Sequence, residues 1–239
     1  MTAPEVIKKL KQKSSAKNIA GAKRFGIFSK NILGAPKIVL DNLVREIGKD
    51  SSFAKAPEGK HKLALALWES GVYEARILAG LIDKPEWIVS KQMDTWTRDF
   101  DSWAVCDSTC MHLFSKAKLS HKKVWQYARA KEEYVRRTAF ALMATLAVHD
   151  KQSPDKAFLD FFPLIKKYAT DERNFVRKAV NWALRQIGKR NLALNKEAIK
   201  LAEEISKIDS KSAKWIAADA LRELRGEAVQ QRLKKQKKR

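Results

Sequence analysis

Apolar residues recur at intervals of three and four along most of the chain, with lysine, arginine and glutamate between them. This spacing is typical of amphipathic helices, because positions i, i+3, i+4 and i+7 share one helical face. Strand-like alternation is hard to find, and nine glycines and six prolines punctuate the pattern. The pattern predicts helices at residues 3–13, 19–32, 36–48, 60–69, 72–82, 85–93, 99–115, 121–130, 132–148, 154–169, 172–189, 195–206 and 210–225.

The helical pattern also repeats. Similar motifs begin at Tyr134, Phe175 and Trp215, which are 41 and then 40 residues apart, and Tyr73 begins an earlier copy. A period near 40 residues with two helices per unit is the signature of HEAT-like repeats, which stack into a curved solenoid with a concave binding surface. We therefore predict an all-α solenoid of HEAT-like repeats; a plain helical bundle is the competing fold. We expect a single domain over residues 1–226 and a disordered basic tail over 227–239.

Composition narrows the class of protein. The 239 residues are 45% hydrophobic and 32% charged, which predicts a folded chain, and no segment approaches the length of a membrane span. There are 49 lysines and arginines against 27 acidic residues, a net charge of +22 with the excess concentrated in residues 1–35 and 222–239. This distribution predicts a nucleic-acid binder, and the concave surface is then expected to face DNA. The alternative is a basic tail that only improves solubility.

The cysteine content does not predict a metal site. Cys106 and Cys110 are the two cysteines of the chain, and the four scattered histidines add no obvious ligand set. We expect both thiols to pack as small hydrophobic groups in a reducing compartment.

One acidic residue interrupts an apolar stripe. If residues 99–115 form one helix, Asp107 lies in the middle of the face formed by Phe100, Trp103, Ala104, Met111 and Phe114. A carboxylate on such a face is costly to bury unless a partner pairs with it or the site uses it. In a cationic protein, a carboxylate beside a tryptophan favours chemistry on an anionic partner that develops positive charge. The alternative is a structural acid satisfied by an arginine or a helix end.

A second tryptophan lies away from its helix's core face. Trp182 is on the side of the helix opposite the buried stripe, with Lys178 and Arg185 as its neighbours. Such a tryptophan contacts either a partner helix or a ligand, and the two cations beside it are candidate DNA contacts.

An arginine on the preceding repeat is the third candidate. Arg137 is expected to point away from the core, with the small residues Ala141 and Ala144 near it. Small neighbours leave room for a guanidinium to approach a phosphate closely. A solvated surface arginine is the alternative.

Three segments carry a family resemblance. Residues 101–107 (DSWAVCD), 134–139 (YVRRTA) and 175–182 (FVRKAVNW) resemble, in order and spacing, the AlkD family of DNA glycosylases, helical-repeat enzymes that remove alkylated purines from DNA. The likeness covers roughly residues 20–225. It implies that Asp107 is the catalytic carboxylate, that Trp103 and Trp182 line the site around the damaged nucleotide, and that Arg137 contacts the DNA backbone. It also implies an open cleft that holds the duplex from its backbone side.

The expected activity is therefore that of a monofunctional alkylpurine DNA glycosylase. Cationic N3-methyladenine and N7-methylguanine are good leaving groups, so the N-glycosidic bond breaks through an oxocarbenium-like transition state that a carboxylate stabilises. An abasic site is left in the duplex. No metal or organic cofactor is expected, and no lysine is distinguished as a Schiff-base nucleophile.

The remaining expectations concern partners and location. The partner is double-stranded DNA containing alkylated purines, without membrane or metal, and the protein is expected to act as a monomer in the cytoplasm, associated with the nucleoid if prokaryotic. Two alternatives stay open: a non-catalytic HEAT-like nucleic-acid-binding scaffold, and a HEAT-like protein-interaction module whose basic surface meets an acidic partner.

Overall fold

The computed structural model describes residues 1–55 and 58–237, and within these ranges the chain consists of helices and the loops that connect them. The helices are α1 (Ala3–Gln12), α2 (Ala16–Arg24), α3 (Lys37–Lys49), α4 (Ser51–Lys55), α5 (Gly59–Glu69), α6 (Tyr73–Ile82), α7 (Ser90–Arg98), α8 (Trp103–His112), α9 (Ser120–Ala128), α10 (Glu133–His149), α11 (Asp155–Leu159), α12 (Phe162–Tyr168), α13 (Asn174–Gly188), α14 (Leu192–Ser206), α15 (Lys211–Leu224) and α16 (Glu227–Lys237). Short 3-10 turns lie at Pro85–Trp87, between α6 and α7, and at Phe114–Lys116, between α8 and α9. No helix in the described ranges has the length and apolar character that crossing a bilayer requires.

Most predicted helices are confirmed, and the differences have local causes. The helix predicted over 19–32 ends at Arg24, because Gly26 takes a left-handed conformation with φ 76°. The helix predicted over 154–169 is two helices, since Pro163 lies in the first turn of α12 and lacks the N–H that a continuous helix needs. The helix predicted over 85–93 is a 3-10 turn followed by α7.

The predicted disorder of the basic tail is wrong for residues 227–237, which form α16. Leu233 is only 1% exposed. The Gln230 amide donates to Asn195 Oδ1 at 2.9 Å, and the Arg232 guanidinium donates to the carbonyl of Lys189 at 2.7 Å. One apolar contact and these polar contacts attach an otherwise polar helix; residues 238–239 lie outside the described residues.

The chain divides into two compact units, residues 1–118 and 119–239. The core of the first unit contains a group of aromatic side chains. The indoles of Trp68 and Trp96 stack at 3.9 Å between ring centroids, and Phe100 meets Trp68 edge-on at 5.8 Å. The Trp68 indole N–H is satisfied by the Asp99 carboxylate at 2.8 Å, so this buried polar group has a partner.

A buried carboxylate shapes the segment between α2 and α3. Glu74, 2% exposed in the first turn of α6, accepts hydrogen bonds from the backbone N–H groups of Leu33, Gly34 and Ala35. Gly34 has φ 74°, and a Cβ there would stand 2.3 Å from the carbonyl oxygen of Ser15. Only glycine fits, and the charge of Glu74 is offset by backbone donors that have no helical partner.

The second unit carries the predicted repeat. The rings of Tyr134 and Phe175, which begin successive motifs, stack at 5.6 Å, and the Arg177 guanidinium lies 4.7 Å from the ring of Trp215. Asn181 on α13 donates to Asp219 on α15 at 2.6 Å. Contacts between residues about 40 apart are what a stack of equivalent helical pairs produces, because each helix packs on the matching helix of the next repeat.

Candidate active site and nucleic-acid contacts

Helix α8 begins at Ser102, and this start sets which side of the helix is buried. The Ser102 hydroxyl is the N-cap and accepts from the N–H of Val105 at 3.3 Å. The predicted stripe is therefore wrong, because Phe100 precedes the helix and Phe114 follows it. The residues of α8 that the structure buries are Val105, Cys106, Thr109 and Cys110.

Trp103 and Asp107 lie together on the other face. Both are partly exposed, one helical turn apart, with Ala104 and Met111 on the same side. Asp107 therefore does not interrupt an apolar core face; it stands at an accessible surface beside an indole. Trp103 and Asp107 share a helical face as predicted. The argument that Asp107 is costly to bury does not hold, because this face is partly exposed. The expectation that both cysteines pack inside is confirmed.

Hydrogen bonds to a neighbouring loop fix the α8 end of this surface. The Trp103 indole Nε1 donates to the carbonyl oxygen of Phe25 at 2.9 Å. The hydroxyl of Ser29, which is 7% exposed, donates to Asp101 Oδ2 at 2.8 Å. Two contacts from one loop thus hold the residues on either side of Ser102. Ser29 was not identified from the sequence, and Asp101 was named there only as part of the motif at 101–107.

A tyrosine near this position is held in its protonated form. Burial, followed by the nearby carboxylates of Glu74 and Asp101, raises the pKa of Tyr73 to about 12. The backbone N–H of Tyr73 donates to the carbonyl of Asn31 at 3.0 Å, which ties the same loop to the start of α6. At neutral pH the phenol remains a hydrogen-bond donor.

In the second unit, Arg137 is more enclosed than the sequence predicted. It is 5% exposed, and Nη1 donates to the carbonyl of Phe175 at 2.6 Å. Ala141 and Ala144, expected to clear space at the surface, are fully buried. Helix α10 is buried on nearly every side. The sequence pattern predicted one buried face and one exposed face, and it therefore underestimated the burial of Arg137.

Lys178 and Trp182 share the accessible face of α13. Lys178 is exposed and Trp182 is partly exposed, one turn apart, whereas Val176, Val180 and Leu184 are buried. With its amide oxygen turned toward the indole, Gln186 accepts from Trp182 Nε1 at 3.1 Å. The prediction that Trp182 lies off the core face is confirmed.

Arg185, the third candidate on α13, is engaged within the protein. Its guanidinium pairs with Glu223 on α15 and lies 3.4 Å from Asp219. Burial acts to raise the pKa of Glu223, but the ammonium of Lys189 and the guanidinium of Arg185 outweigh it and lower that pKa. The Arg185 charge is therefore compensated by the carboxylate of Glu223, whereas Lys178 is exposed.

The candidate residues fall into two groups. Trp103 and Asp107 belong to the first unit, and Arg137, Lys178, Trp182 and Arg185 belong to the second. Among the described residues no group of three or more His, Cys, Asp or Glu side chains is arranged to hold a metal ion. The accessible carboxylate beside an indole is suited to stabilising a cation and to activating water, and the exposed lysine beside an indole is suited to contacting a nucleotide.

The helical pairs and their period define an all-α protein of HEAT-like repeats. A solved structure from a study described as "A new family of proteins related to the HEAT-like repeat DNA glycosylases with affinity for branched DNA structures" has the same fold, with a TM-score of 0.71, 16% sequence identity, and coverage of 92% of this chain and 94% of that chain. The sequence model for the DNA alkylation repair enzyme family matches residues 6–224, and the chain belongs to that family. Among curated proteins, none matches the sequence.

Proposed function

We propose that the protein is a monofunctional alkylpurine DNA glycosylase with Asp107 as its catalytic carboxylate. The observation that carries the proposal is the position of Asp107, partly exposed and one helical turn from Trp103 on α8, in a member of the DNA alkylation repair enzyme family. Substrates are N3-methyladenine and N7-methylguanine in duplex DNA. The cationic base leaves without a general acid, and positive charge moves onto the deoxyribose.

The residues act on that developing charge and on the attacking water. Asp107, as a carboxylate, stabilises the oxocarbenium-like sugar and orients or deprotonates the water that adds to C1′. Trp103 offers the electron-rich face of its indole, in an orientation fixed by its bond to the Phe25 carbonyl. The family resemblance assigns Trp182 on α13 a place near the damaged nucleotide, and Lys178 beside it neutralises a backbone phosphate.

Arg137 and Arg185 support DNA binding indirectly, because both guanidinium groups are engaged within the protein. Arg137 is buried and holds the carbonyl of Phe175, and Arg185 is paired with Glu223. Their first effect is to hold the two ends of α13, the helix that carries Lys178 and Trp182: Arg137 bonds near its start, and Arg185 lies in its last turn. Contact with phosphate by either guanidinium is secondary to this positioning.

The decisive experiment measures release of N7-methylguanine and N3-methyladenine from methylated duplex DNA. Asp107→Asn should reduce the single-turnover rate by about 100-fold or more, because a preorganised charge at the reaction centre is lost. Asp41→Asn is the matched control: this carboxylate pairs with Lys37 on α3 and should leave the rate unchanged. Uracil and 1,N6-ethenoadenine should not be released, since uncharged bases require protonation to leave.

A non-catalytic DNA-binding protein is the second candidate. It is favoured by the likeness to a protein described as having affinity for branched DNA. In that case wild type releases no base above the spontaneous rate, while wild type and Asp107→Asn bind DNA equally. Equal, measurable release by both proteins would contradict the role proposed for Asp107.

A further inference from the structure

The segment that follows α2 exposes two phenylalanines. Phe25 is 73% exposed and Phe28 is 69% exposed, the highest values among the large hydrophobic side chains of the described residues that are exposed. We refer to residues 25–30 as the aromatic loop. Isolated exposed apolar residues are common, but two within four residues form a local apolar surface that has a cost in water.

The backbone of the aromatic loop is firmly held. The N–H of Gly26 donates to the carbonyl of Lys23, and the N–H of Ile27 donates to the carbonyl of Ala22, each at about the usual distance for a Schellman turn. The side chain of Ile27 is 8% exposed and anchors the turn. The two rings therefore project from a fixed turn, so their exposure is not a consequence of a loose chain.

The same loop is joined to the candidate active site. Phe25 supplies the carbonyl that accepts from Trp103 Nε1 at 2.9 Å, and Ser29 donates to Asp101 at 2.8 Å. The loop thus combines two contacts to the start of α8, from the Phe25 carbonyl and the Ser29 hydroxyl, with two phenylalanine rings that are exposed to solvent. Phe28 is exposed between two buried residues, Ile27 and Ser29. Because Ser29 is bonded to Asp101, the position of Phe28 is fixed relative to the start of α8.

The charges around the two phenylalanine rings indicate which kind of ligand binds there. Lys23, Arg24 and Lys30 are exposed on either side of the phenylalanines, while the nearby carboxylate of Asp101 is bonded to Ser29. Cations that contact a backbone, combined with aromatic rings on which bases stack, are the recurring design of surfaces for unpaired nucleotides. Paired bases within a continuous duplex do not offer an open face to such a ring.

We propose that the aromatic loop is a stacking platform for an unpaired or unstacked DNA base, with Phe28 as its principal ring. The protein then binds a duplex with an unpaired base more tightly than a fully paired duplex. The inference deepens the proposed function, because it rests on DNA lying against the surface that carries Asp107. Stacking next to the site favours DNA whose pairing is already disturbed.

The test uses duplexes that carry 2-aminopurine either in a single-base bulge or in a pair. We expect wild type to bind the bulged duplex about tenfold more tightly and to quench its 2-aminopurine fluorescence, as base–aromatic stacking predicts. Phe28→Ala should abolish most of both effects, and Phe28→Trp should retain them. Ile38→Ala, which removes a 58% exposed side chain on α3, is the control and should behave as wild type.

The outcomes separate this inference from the glycosylase proposal. Binding by Asp107→Asn with full bulge preference, whether or not wild type releases bases, supports the platform alone. Equal affinity of wild type for bulged and paired duplexes overturns it, as does an equal loss in Phe28→Ala and Ile38→Ala. Self-association that disappears in Phe28→Ala with no change in DNA binding would assign the rings to a second copy of the chain and would also overturn it.

Discussion

Lys178 and Arg185 show how the surroundings of a cation change what it can contribute to DNA binding. Both were predicted DNA contacts on α13, two turns apart. Lys178 is exposed, whereas Arg185 is paired with Glu223 and lies near Asp219. A cation that already neutralises carboxylates releases fewer counterions when a phosphate approaches, because its charge is compensated before binding.

We therefore expect Lys178→Ala and Arg185→Ala to differ in two measurements. Lys178→Ala should reduce the slope of log Kd against log salt by about 0.9, the value for one phosphate contact. Arg185→Ala should change that slope much less and should instead lower the free energy of unfolding by about 1–2 kcal/mol. Titrations at several salt concentrations and urea unfolding of both variants check this; equal losses of slope would show that Arg185 contacts DNA directly.

At this scale the sequence predicted the helical spacing of the candidate residues better than it predicted their burial. The spacing of Trp103 and Asp107 put them on one helical face, and this is confirmed. The identity of that face was wrong, since the sequence could not show that Ser102 caps the helix and that Phe100 and Phe114 lie outside it. The loop contacts of Phe25 and Ser29 join residues more than 70 apart, and a local pattern carries no information about such pairs.

Asp171 is the junction between helices of successive repeats. Its carboxylate accepts from Arg136 on α10 at 2.7 Å and from Arg173, and its backbone carbonyl accepts from Ser212 on α15 at 2.8 Å. Burial acts to raise the pKa of Asp171, but the hydrogen bonds from Arg173 and Arg136 outweigh it and lower that pKa below 3.8. The ionised form therefore stabilises the folded state.

This stabilisation has a defined pH dependence. Because the folded pKa lies below the unfolded one, the contribution is complete above about pH 4 and is lost as the pH falls through the folded value. Asp171→Asn should lower the free energy of unfolding at pH 7 by about 2–4 kcal/mol, and the difference from wild type should shrink below pH 4. Chemical unfolding across this pH range provides the measurement.

A surface carboxylate gives the control for that experiment. Asp160 pairs with Lys156 within one helical turn and is 50% exposed, so Asp160→Asn should cost less than about 1 kcal/mol. A loss at pH 7 no larger than this in Asp171→Asn would show that the junction does not stabilise the stack of helices.

Helix existence was predictable because the apolar period is long and regular, and helix ends were less so. Gly26 ends α2 early and Pro163 separates α11 from α12, and both residues were visible as possible breaks in the sequence. The helix α16 was missed for a different reason. Its segment is basic and polar, and the burial of a single residue, Leu233, depends on tertiary contacts that composition does not reveal.

For the whole molecule, the repeat and the net charge are the two properties that the sequence carries most directly. The 40-residue period appears as contacts between matching helices, from the stacked rings of Tyr134 and Phe175 to the bond between Asn181 and Asp219. The charge of +22 does not determine the fold, but it sets how the molecule meets a polyanion. Contacts between repeats therefore govern the free energy of unfolding, whereas the net charge governs the affinity for DNA and its dependence on salt.

Binding and chemistry should consequently respond differently to salt. If about five phosphates are neutralised, log Kd for duplex DNA should change with log salt with a slope of about 4.5 in magnitude, because each contact releases counterions. The single-turnover rate of base release at saturating protein should change little, since Asp107 acts on charge that develops within contact distance and is weakly screened. Asp107→Asn should keep the salt dependence of DNA binding and lose the base-release activity, which separates binding from chemistry in one protein. A flat binding response would contradict DNA as the partner, and a rate that falls as steeply as the affinity would place the salt-sensitive step in the chemistry itself.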